Sequence, residues 1–266
     1  MNKSNSIEKR FKFGENWYRF IAHMNEERIS SAKESLSGML SLPDLKRKSF
    51  LDVGSGSGLF SLAAHRLGAD VMSFDYDDSS VASTKELKNS WTDSANAWRI
   101  EQGSVLDSDY MKSLGKFDIV YSWGVLHHTG NMKKALSNVI GNVKQGGLLY
   151  IAIYNYQPFK TSYWKVVKKA YNQNLLFRIM IILVHFPYFF IIRGIVRFFR
   201  GKLKLERGMS LWYDMLDWLG GYPFEAAKPE EIIDYYLSHN FVFQKLITCG
   251  GRLGCNEFVF KRLVDQ

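Results

Sequence analysis

Residues 50–59 of the chain read Phe-Leu-Asp-Val-Gly-Ser-Gly-Ser-Gly-Leu. An apolar run ends in an acid at Asp52, three glycines then alternate with serines, and an apolar, amphipathic stretch follows from Leu59. The pattern predicts a buried strand, a tight turn whose glycines take positive φ, and the start of a helix. Because such a turn lets a ligand approach bare backbone N–H groups at a helix N-terminus, the stretch predicts a nucleotide-binding loop.

Two common nucleotide-binding motifs fit this loop poorly. A dinucleotide fingerprint has Gly or Ala at the position of Leu59, and a P-loop continues with Gly-Lys-Ser/Thr, which this loop lacks. Leu59 therefore counts against a dinucleotide site, and the P-loop is excluded.

Short apolar runs alternate with amphipathic stretches from Ser49 onward, which is typical of βαβ units on a parallel sheet. We predict helices over 7–42 and strands near 49–53, 70–75, 98–105, 117–123 and 147–154. The alternation stops after Tyr154 and resumes with a helix from Lys228 and two strands, near 241–248 and 256–262. The connection between these last strands is short enough for an antiparallel hairpin.

The loop, with its surroundings, resembles the first motif of the class I S-adenosylmethionine-dependent methyltransferases, Asp-x-Gly-x-Gly-x-Gly. Four later segments are similar to family motifs in the expected order: Asp75 after the second strand, Gly-Ser-Val-Leu-Asp at 103–107, the fourth-strand stretch 117–128, and Val-Lys-Gln-Gly-Gly at 143–147. In the last of these, Gln145 stands where the family usually has Pro.

The resemblance implies a Rossmann-like, seven-stranded, mostly parallel α/β sheet with an antiparallel C-terminal hairpin and a helical insertion after the fifth strand. We expect one domain, residues 1–266. Its parts are N-terminal helices over 1–48, a cofactor-binding core over 49–154, a basic and apolar cap over 155–227, and the last helix and hairpin over 228–266.

S-adenosylmethionine is the cofactor that the resemblance implies, with S-adenosylhomocysteine as product. An acid about 20 residues past the loop, here Asp75, is placed to accept hydrogen bonds from both ribose hydroxyls of a nucleoside cofactor. The full expected cofactor-binding set is Asp52, Gly54, Ser55, Gly56, Gly58, Asp75, Tyr76, Ser104, Val105, Asp107, Trp123 and Gly124.

Two adjacent histidines follow the predicted fourth strand. An oxygen nucleophile must lose a proton before it is methylated, and histidine is the usual group for that task near neutral pH. Adjacent residues leave a strand end in different directions, so we expect one of His127 and His128 to face the substrate. Resemblance to members with a Val-Leu-x-His pattern favours His128. The alternative, that both residues cap a helix or pack beside the cofactor, stays open.

Six further residues are weaker candidates for contact with the acceptor. The aromatic residues could instead pack in the core, and the acids could lie on a solvated helix face. They are Trp17, Tyr154, Trp212, Tyr213, Asp214 and Asp217. No metal site is expected, because Cys249 and Cys255 lack partners at zinc-binding spacing.

The positive charge is concentrated in one segment. The chain has 35 Lys and Arg against 26 Asp and Glu, a formal net charge of +9. Residues 155–210 hold eleven of the basic residues and one of the acids, which leaves 24 basic and 25 acidic residues elsewhere. An acidic partner is therefore expected to meet the cap rather than the sheet.

The apolar run of the cap is too short to predict a membrane-spanning helix. Its apolar run covers 14 residues, 179–192, whereas a spanning helix needs about 20. Basic residues recur on one predicted helical stripe, Arg193, Arg197, Arg200 and Lys204, opposite Ile191, Ile195, Phe198 and Phe199. This division favours peripheral contact of 175–207 with an anionic membrane. Packing on the core or in a homodimer through the cap is equally compatible with it, and contact with nucleic acid is the less favoured interpretation.

Cysteine content and the N-terminal sequence bear on location. Two cysteines cannot form a disulfide framework, and no secretory leader pattern begins the chain. We expect a cytoplasmic protein, with peripheral attachment to the inner membrane face as an option.

The predicted function is methyl transfer from S-adenosylmethionine to a small-molecule or lipid-linked acceptor, at oxygen. The broad resemblance is to the quinone and small-molecule methyltransferase group. The alternatives are an RNA methyltransferase and a non-catalytic, cofactor-binding interaction subunit at a membrane surface.

Overall fold

The computed structural model describes residue 21 and residues 24–92, 96–192 and 211–264. These residues divide into two compact units. The core unit holds residues 21–158 and 225–264, and the cap unit holds residues 159–192 and 211–224. The cap unit falls within the segment predicted as an insertion. The prediction of one domain interrupted by that insertion stays a prediction.

The core unit is built on a seven-stranded sheet with the order β3-β2-β1-β4-β5-β7-β6. Its strands are β1 (Ser49–Val53), β2 (Asp70–Asp75), β3 (Trp98–Gln102), β4 (Phe117–Trp123), β5 (Val143–Tyr154), β6 (Phe241–Ile247) and β7 (Cys255–Arg262). The first five strands pair in parallel, whereas β7 is antiparallel to both β5 and β6. The predicted fold class is confirmed.

Helices connect these strands and form most of the cap unit. They are α1 (Glu26–Leu40), α2 (Leu59–Arg66), α3 (Asp78–Trp91), α4 (Ser108–Ser113), α5 (Met132–Gly141), α6 (Pro158–Tyr171), α7 (Leu175–Pro187), α8 (Leu211–Gly220) and α9 (Pro229–Leu237). A 3-10 turn at Leu126–His128 follows β4, and a π-helical turn at Tyr188–Ile192 continues α7.

Local sequence explains several of these boundaries. Asp77 caps α3 by accepting a hydrogen bond from the backbone N–H of Ser79 at 3.1 Å, and Asn25 caps α1 in the same way. Helix α1 ends at Ser41, which takes a left-handed conformation with φ of 54°, two residues before Pro43. Of the helices predicted over 7–42, residues 7–20, 22 and 23 lie outside the described residues. Met24 and Asn25 are not helical, so the prediction was wrong there, because Asn25 takes an extended conformation and caps a helix that starts at Glu26.

The beginnings of three parallel strands are joined by one carboxylate. Asp118 on β4 accepts hydrogen bonds from the N–H and hydroxyl of Ser49 on β1, at 2.8 and 2.6 Å. Lys144 on β5 donates to the same oxygen at 2.8 Å. These polar contacts lie at the opposite edge of the sheet from the glycine loop and fix the relative register of β1, β4 and β5.

Two strand predictions were wrong at their ends. β3 stops at Gln102 rather than near 105, because Asp107 turns the chain and caps α4. β5 begins at Val143, four residues early, because an irregularity in its pairing with β4 lets Val143 pair with Phe117 before the regular ladder starts at Leu148. Both errors arise where tertiary pairing, rather than local pattern, sets the boundary.

The sheet has an apolar layer on each face. On one face the core includes Leu36 of α1, Phe50 and Tyr121, and on the other it includes Val53, Val139 of α5 and Phe260. A parallel sheet is normally covered on both faces in this way. The buried strands therefore hold their carboxyl ends, where the glycine loop lies, in a rigid frame.

The cap unit exposes many apolar side chains. Eight large apolar side chains of α7 are more than a third exposed: Leu175, Leu176, Phe177, Ile179, Met180, Leu183, Val184 and Phe186. Within the described part of the chain, no helix is long and apolar enough to cross a bilayer. The predicted basic stripe at residues 193–204 lies outside the described residues.

One basic residue of the cap is not on its surface. Lys168 is fully buried, donates a hydrogen bond to the carbonyl oxygen of Trp218, and lies over the Trp218 and Phe224 rings at 4.5 and 5.0 Å. Burial lowers the pKa of Lys168 to about 7, against the opposing attraction of Asp217. The stem and ammonium of Lys168 lie against aromatic rings, so this residue adds nothing to the surface charge of the cap unit.

We predict that Lys168→Met removes part of the pH dependence of stability. The folded-state pKa of Lys168 lies below the ordinary value of 10.5, so the unfolded chain binds more protons between about pH 7 and 10.5 and wild-type stability rises with pH there. The melting temperature of wild type should therefore gain about 5 °C or more relative to the variant over this range. Lys169→Met, at an exposed neighbour, is the matched control, and equal pH slopes in all three proteins would contradict the assignment.

Candidate functional site

The strand order reverses between β1 and β4, and this reversal creates a crevice at the carboxyl ends of the strands. β1 pairs with β2 on one side and with β4 on the other, so connections leave in opposite directions from this point. In open α/β sheets, ligands bind in such a crevice. The glycine loop after β1 and the polar residues that end β2 and β4 meet at this edge.

The glycine loop adopts the predicted conformation. Gly54, Gly56 and Gly58 have φ of 82°, 55° and 81°, a region that side chains rarely adopt. The N–H groups of Gly54 and Ser55 donate to the carbonyl oxygen of Phe74 at 2.9 and 3.0 Å, which joins the loop to the end of β2.

Two of the glycines are required for space as well as for φ. A Cβ on Gly54 would lie 2.5 Å from Val125 Cγ2, in the turn after β4, and one on Gly58 would lie 2.9 Å from Thr84 Cγ2 on α3. The loop is thus closed on two sides by side chains, so substitution at either glycine must displace a neighbouring element.

Asp75 is held by the loop that it faces. Its carboxylate accepts hydrogen bonds from the N–H of Gly56 on one oxygen and of Asp77 on the other, each at 2.9 Å. A carboxylate has about four acceptor positions, so each oxygen retains capacity for a further donor such as a hydroxyl. Burial raises the pKa of Asp75 to about 6, although these N–H bonds oppose the rise.

Asp52 is a second carboxylate in the same region and lies deeper. It is buried at the end of β1 and accepts a hydrogen bond from the Ser61 hydroxyl of α2 at 2.5 Å. Burial raises the pKa of Asp52 to about 7, the Ser61 hydrogen bond lowers it, and repulsion by Asp75 adds to the rise. Two acids that repel each other favour a positively charged ligand between or near them.

Further residues of the expected cofactor-binding set follow β2 and β3. Tyr76 is 60% exposed directly after Asp75, and Val105 is buried. Asp107 accepts hydrogen bonds from the N–H groups of Asp109 and Tyr110, and the Ser104 hydroxyl accepts one from Leu106. The turn that carries Ser104, Val105 and Asp107 is therefore ordered by its own side chains.

The structure distinguishes the two histidines after β4. His127 is fully buried, its Nδ1 accepts a hydrogen bond from the Tyr154 N–H at 3.4 Å, and its carbonyl accepts one from Glu225. This bond to Nδ1 places the proton of the neutral ring on Nε2. His128 is only half-buried, and its ring meets the Tyr154 ring edge-on at 5.4 Å. Of the pair, His128 is the residue with solvent access.

The sequence candidates fall into three groups. The glycine loop, Asp75, the turn after β3, the end of β4 at Trp123 and Gly124, the histidines and Tyr154 all belong to the core unit. Trp212 and Asp217 belong to the cap unit, where Asp217 interacts electrostatically with Lys168 and Tyr171. Trp17 and the side chains of Tyr213 and Asp214 lie outside the described residues.

Sequence reasoning missed the polar residues behind Asp52. Ser61, Ser73 and Trp98 form hydrogen bonds in the interior, beneath the glycine loop. A signal was present, since each serine interrupts an otherwise apolar run on an element that the pattern predicts to be buried. That signal does not indicate which residue each hydroxyl meets.

Comparison with known proteins extends this description. The family model described as "Methyltransferase domain" matches residues 21–201. The chain is 30% identical to the ubiquinone biosynthesis O-methyltransferase of Coxiella burnetii over 132 residues, 50% of this chain and 54% of the relative. With the protein of the same name from Pelagibacter ubique it is 25% identical over 183 residues, 64% of this chain and 73% of the relative. The chain thus spans about half the length of the Coxiella relative.

Solved structures share the fold. The magnesium protoporphyrin IX methyltransferase of Synechocystis PCC 6803, crystallised with bound SAH, superposes with a TM-score of 0.57, 13% identity and 94% coverage of both chains. The 1,6-didemethyltoxoflavin-N1-methyltransferase of Burkholderia thailandensis has a TM-score of 0.51 and 12% identity, covering 91% of this chain and 81% of that one. At these identities the likeness establishes the fold alone.

We predict that Gly54→Ala destabilises the protein by about 2–5 kcal/mol. The substitution combines left-handed backbone strain of about 1–2 kcal/mol with overpacking against Val125 of about 1–3 kcal/mol. Gly124→Ala is the matched control, since its φ is also positive, at 76°, but a Cβ there meets nothing within 4 Å. Urea unfolding should show the smaller loss for Gly124→Ala, and equal losses would show that contact with Val125 is not decisive.

Proposed function

The chain belongs to the class I S-adenosylmethionine-dependent methyltransferases, and we propose that it transfers the methyl group of this cofactor to an oxygen of a small-molecule acceptor. The observation that carries the proposal is the convergence of the glycine loop, Asp75 and His128 at the switch point of the sheet. When bound, S-adenosylmethionine supplies an electrophilic methyl group on a sulfonium and is released as S-adenosylhomocysteine.

The residues at this edge fit such a cofactor. The positive-φ loop leaves bare backbone at Gly54, Gly56 and Gly58, and Asp75 keeps acceptor capacity for two ribose hydroxyls. The exposed Tyr76 ring and the ordered turn of Ser104, Val105 and Asp107 supply an apolar and a polar wall for a base. In their ionised forms, Asp52 and Asp75 would attract the positively charged sulfonium and ammonium groups of the cofactor.

We assign the role of general base to His128. Its half-buried ring follows the β4 end, and Tyr154 orients it from the end of β5. An acceptor hydroxyl bound there would give its proton to His128 as its oxygen forms the new bond to carbon. His127 is buried and hydrogen-bonded through Nδ1, and it acts as a positioning residue for His128. Most of the rate gain would come from holding oxygen and methyl in line, an effect worth up to about 7–11 kcal/mol.

The acceptor proposed is a hydroxylated small molecule, with a lipid-linked ring as the favoured class. Support comes from the similarity to ubiquinone biosynthesis O-methyltransferases and from the apolar surface of the cap unit. An RNA acceptor is disfavoured, since the exposed surface of α7 is dominated by aliphatic side chains. Turnover by the purified chain alone would show that it is an enzyme rather than a non-catalytic interaction subunit.

We expect His128→Ala to lower turnover and Asp75→Ala to weaken the affinity for the cofactor product. Loss of a general base should lower turnover by about 10²–10⁴-fold and leave affinity for S-adenosylhomocysteine unchanged. Loss of Asp75 should weaken that affinity by about tenfold or more, because two hydrogen bonds to a charged group are removed. Calorimetry measures affinity, and S-adenosylhomocysteine formation on catechols with and without a prenyl tail measures turnover. Full activity of His128→Ala would remove the base role, and unchanged affinity of Asp75→Ala would remove the ribose role.

We further propose that the cap unit contacts an anionic membrane surface peripherally. Its exposed apolar side chains on α7 are accompanied by the exposed cations Lys160, Lys165 and Lys169 of α6. Residues 159–192 of the cap unit include no acid, whereas residues 211–224 include two, Asp214 and Asp217. An apolar helix with basic neighbours suits the boundary between acyl chains and anionic headgroups.

The triple variant Leu176→Ser, Met180→Ser, Leu183→Ser should lose vesicle binding. These residues recur at i, i+4 and i+7, and removing three aliphatic side chains should weaken partitioning by about tenfold or more. The measurement is flotation with vesicles of phosphatidylcholine and phosphatidylglycerol. Binding of the wild-type protein should be weaker to vesicles of phosphatidylcholine alone, and it should weaken when salt is added. The matched control replaces the exposed Leu263 and Val264 of the core unit by Ser. Wild type that stays unbound but forms dimers abolished by the triple variant would assign this surface to a second copy of the chain.

A further inference from the structure

A short segment that precedes α9 lies beside the end of β5. We call residues 225–227 the strap. The Ala227 N–H donates a hydrogen bond to the carbonyl oxygen of Tyr154, and the Tyr156 N–H donates one to the carbonyl oxygen of Ala227, each at 3.0 Å. The strap therefore has a fixed register relative to Tyr154, the residue whose ring meets the ring of His128 edge-on.

Glu225 of the strap binds the histidine turn at both of its ends. Its backbone N–H donates to the carbonyl oxygen of His127 at 2.9 Å. Its side-chain Oε2 accepts a hydrogen bond from the N–H of Met132, the first residue of α5, at 2.9 Å. His128 lies between these two points of attachment. A single residue of the strap thus brackets the backbone that carries His128.

The hydrogen bonds inside this bracket are local. The His128 N–H donates to the Val125 carbonyl oxygen, and the Thr129 hydroxyl donates to the Leu126 carbonyl oxygen, each at 2.8 Å. Bonds between residues three positions apart fix the shape of the turn, but they do not fix its position relative to β5. That position depends on bonds to other elements, and Glu225 supplies one at each end of the turn.

Capping of α5 does not by itself explain this arrangement. The helix has its own N-cap in Asn131, whose side-chain oxygen accepts a hydrogen bond from the Lys134 N–H at 3.1 Å. Glu225 satisfies a further N–H of the first turn, but its other bond goes to His127, which lies outside the helix. The pair of bonds ties the start of α5 to the histidine turn.

We propose that Glu225 is a positioning residue that keeps the His128 ring in its edge-on contact with Tyr154, in the orientation needed to take a proton from the acceptor. This inference rests on the proposed function, in which His128 is the general base. A base works only within about 2.6–3.2 Å of the atom that gives up the proton. A displacement of about 1 Å can lower the rate by about 100-fold, so loss of the bracket should slow the reaction.

The first test compares Glu225→Ala with the matched control Asn131→Ala. Each variant removes one side-chain acceptor from the first turn of α5, so the melting temperature should fall to a similar degree in both. Because only Glu225→Ala releases the histidine turn, only this variant should lose kcat, by about tenfold to 100-fold. Its affinity for S-adenosylhomocysteine, measured by calorimetry, should not change. Equal losses of kcat in the two variants overturn the inference.

The conservative variant Glu225→Gln separates the hydrogen bond from the negative charge. Its amide oxygen can accept from the Met132 N–H as the carboxylate does, so most of the wild-type kcat should return. A loss as deep as that in Glu225→Ala contradicts the bracket. Where Glu225→Ala fails to fold, as judged by circular dichroism, Glu225→Asp takes its place, because its carboxylate is one methylene shorter and should reach Met132 less well.

A double variant tests whether Glu225 acts through His128. Once the base has been removed, a positioning residue has nothing left to position. The kcat of Glu225→Ala combined with His128→Ala should therefore equal that of His128→Ala alone. A general structural defect would instead multiply the two losses, and that result overturns the inference. Turnover in all variants is followed as S-adenosylhomocysteine formation on catechols with and without a prenyl tail.

A spectroscopic measurement decides the position of the ring without any acceptor. The Cε1–H proton of His128, assigned by its loss from the NMR spectrum of His128→Ala, senses the ring current of Tyr154. This signal should move toward that of free histidine in Glu225→Ala and stay in place in Asn131→Ala. An unmoved signal in Glu225→Ala overturns the inference.

These outcomes separate the inference from the function on which it rests. Full activity of His128→Ala removes the base role, and the inference falls with it. Reduced activity of His128→Ala together with wild-type kcat in Glu225→Ala overturns the inference alone. Wild type that is inactive on both catechols contradicts the proposed acceptor, and the NMR signal of His128 then decides whether Glu225 positions the ring.

Discussion

The positive-φ turn between β1 and α2 is the constraint on which the site depends. Three glycines reverse the chain within five residues, and the Phe74 carbonyl holds the start of the turn against the end of β2. Val125 closes the turn from the β4 side, at a separation that leaves no room for a Cβ on Gly54. The turn therefore joins three neighbouring strands at their carboxyl ends, and the histidines after β4 are placed relative to the same point.

Electrostatics at this edge follow from the burial that the turn creates. Asp52 and Asp75 lie on adjacent strands, both with pKa values raised by burial, and each is satisfied by hydrogen bonds from different sources. Asp75 is held by two backbone N–H groups, whereas Asp52 is held by a serine hydroxyl. The two acids thus differ in how their ionisation is maintained, although both add negative potential where a cationic cofactor would bind.

Much of the core could be predicted from local pattern. The bounds of β1, β2 and β4 agree with the alternation of apolar runs, and the cap by Asp77 agrees with its position before an amphipathic stretch. The ends of β3 and β5 could not be predicted in this way, because a cap by Asp107 and an irregular pairing with β4 set them. Lys168 reads as surface charge in the sequence, but the aromatic residues that bury it lie about 50 residues later in the chain.

The sequence by itself determined the glycine loop and the acid that ends β2, because each depends on residue type and spacing within a short segment. It indicated the fold class through a resemblance to a family whose motifs follow one another in order along the chain. Only the tertiary structure decided which histidine is buried, what Ser61 and Ser73 meet, and which apolar residues of the cap remain exposed. These properties depend on side chains brought together from separate elements. Burial and hydrogen-bond direction are set by that packing, and no local pattern specifies it.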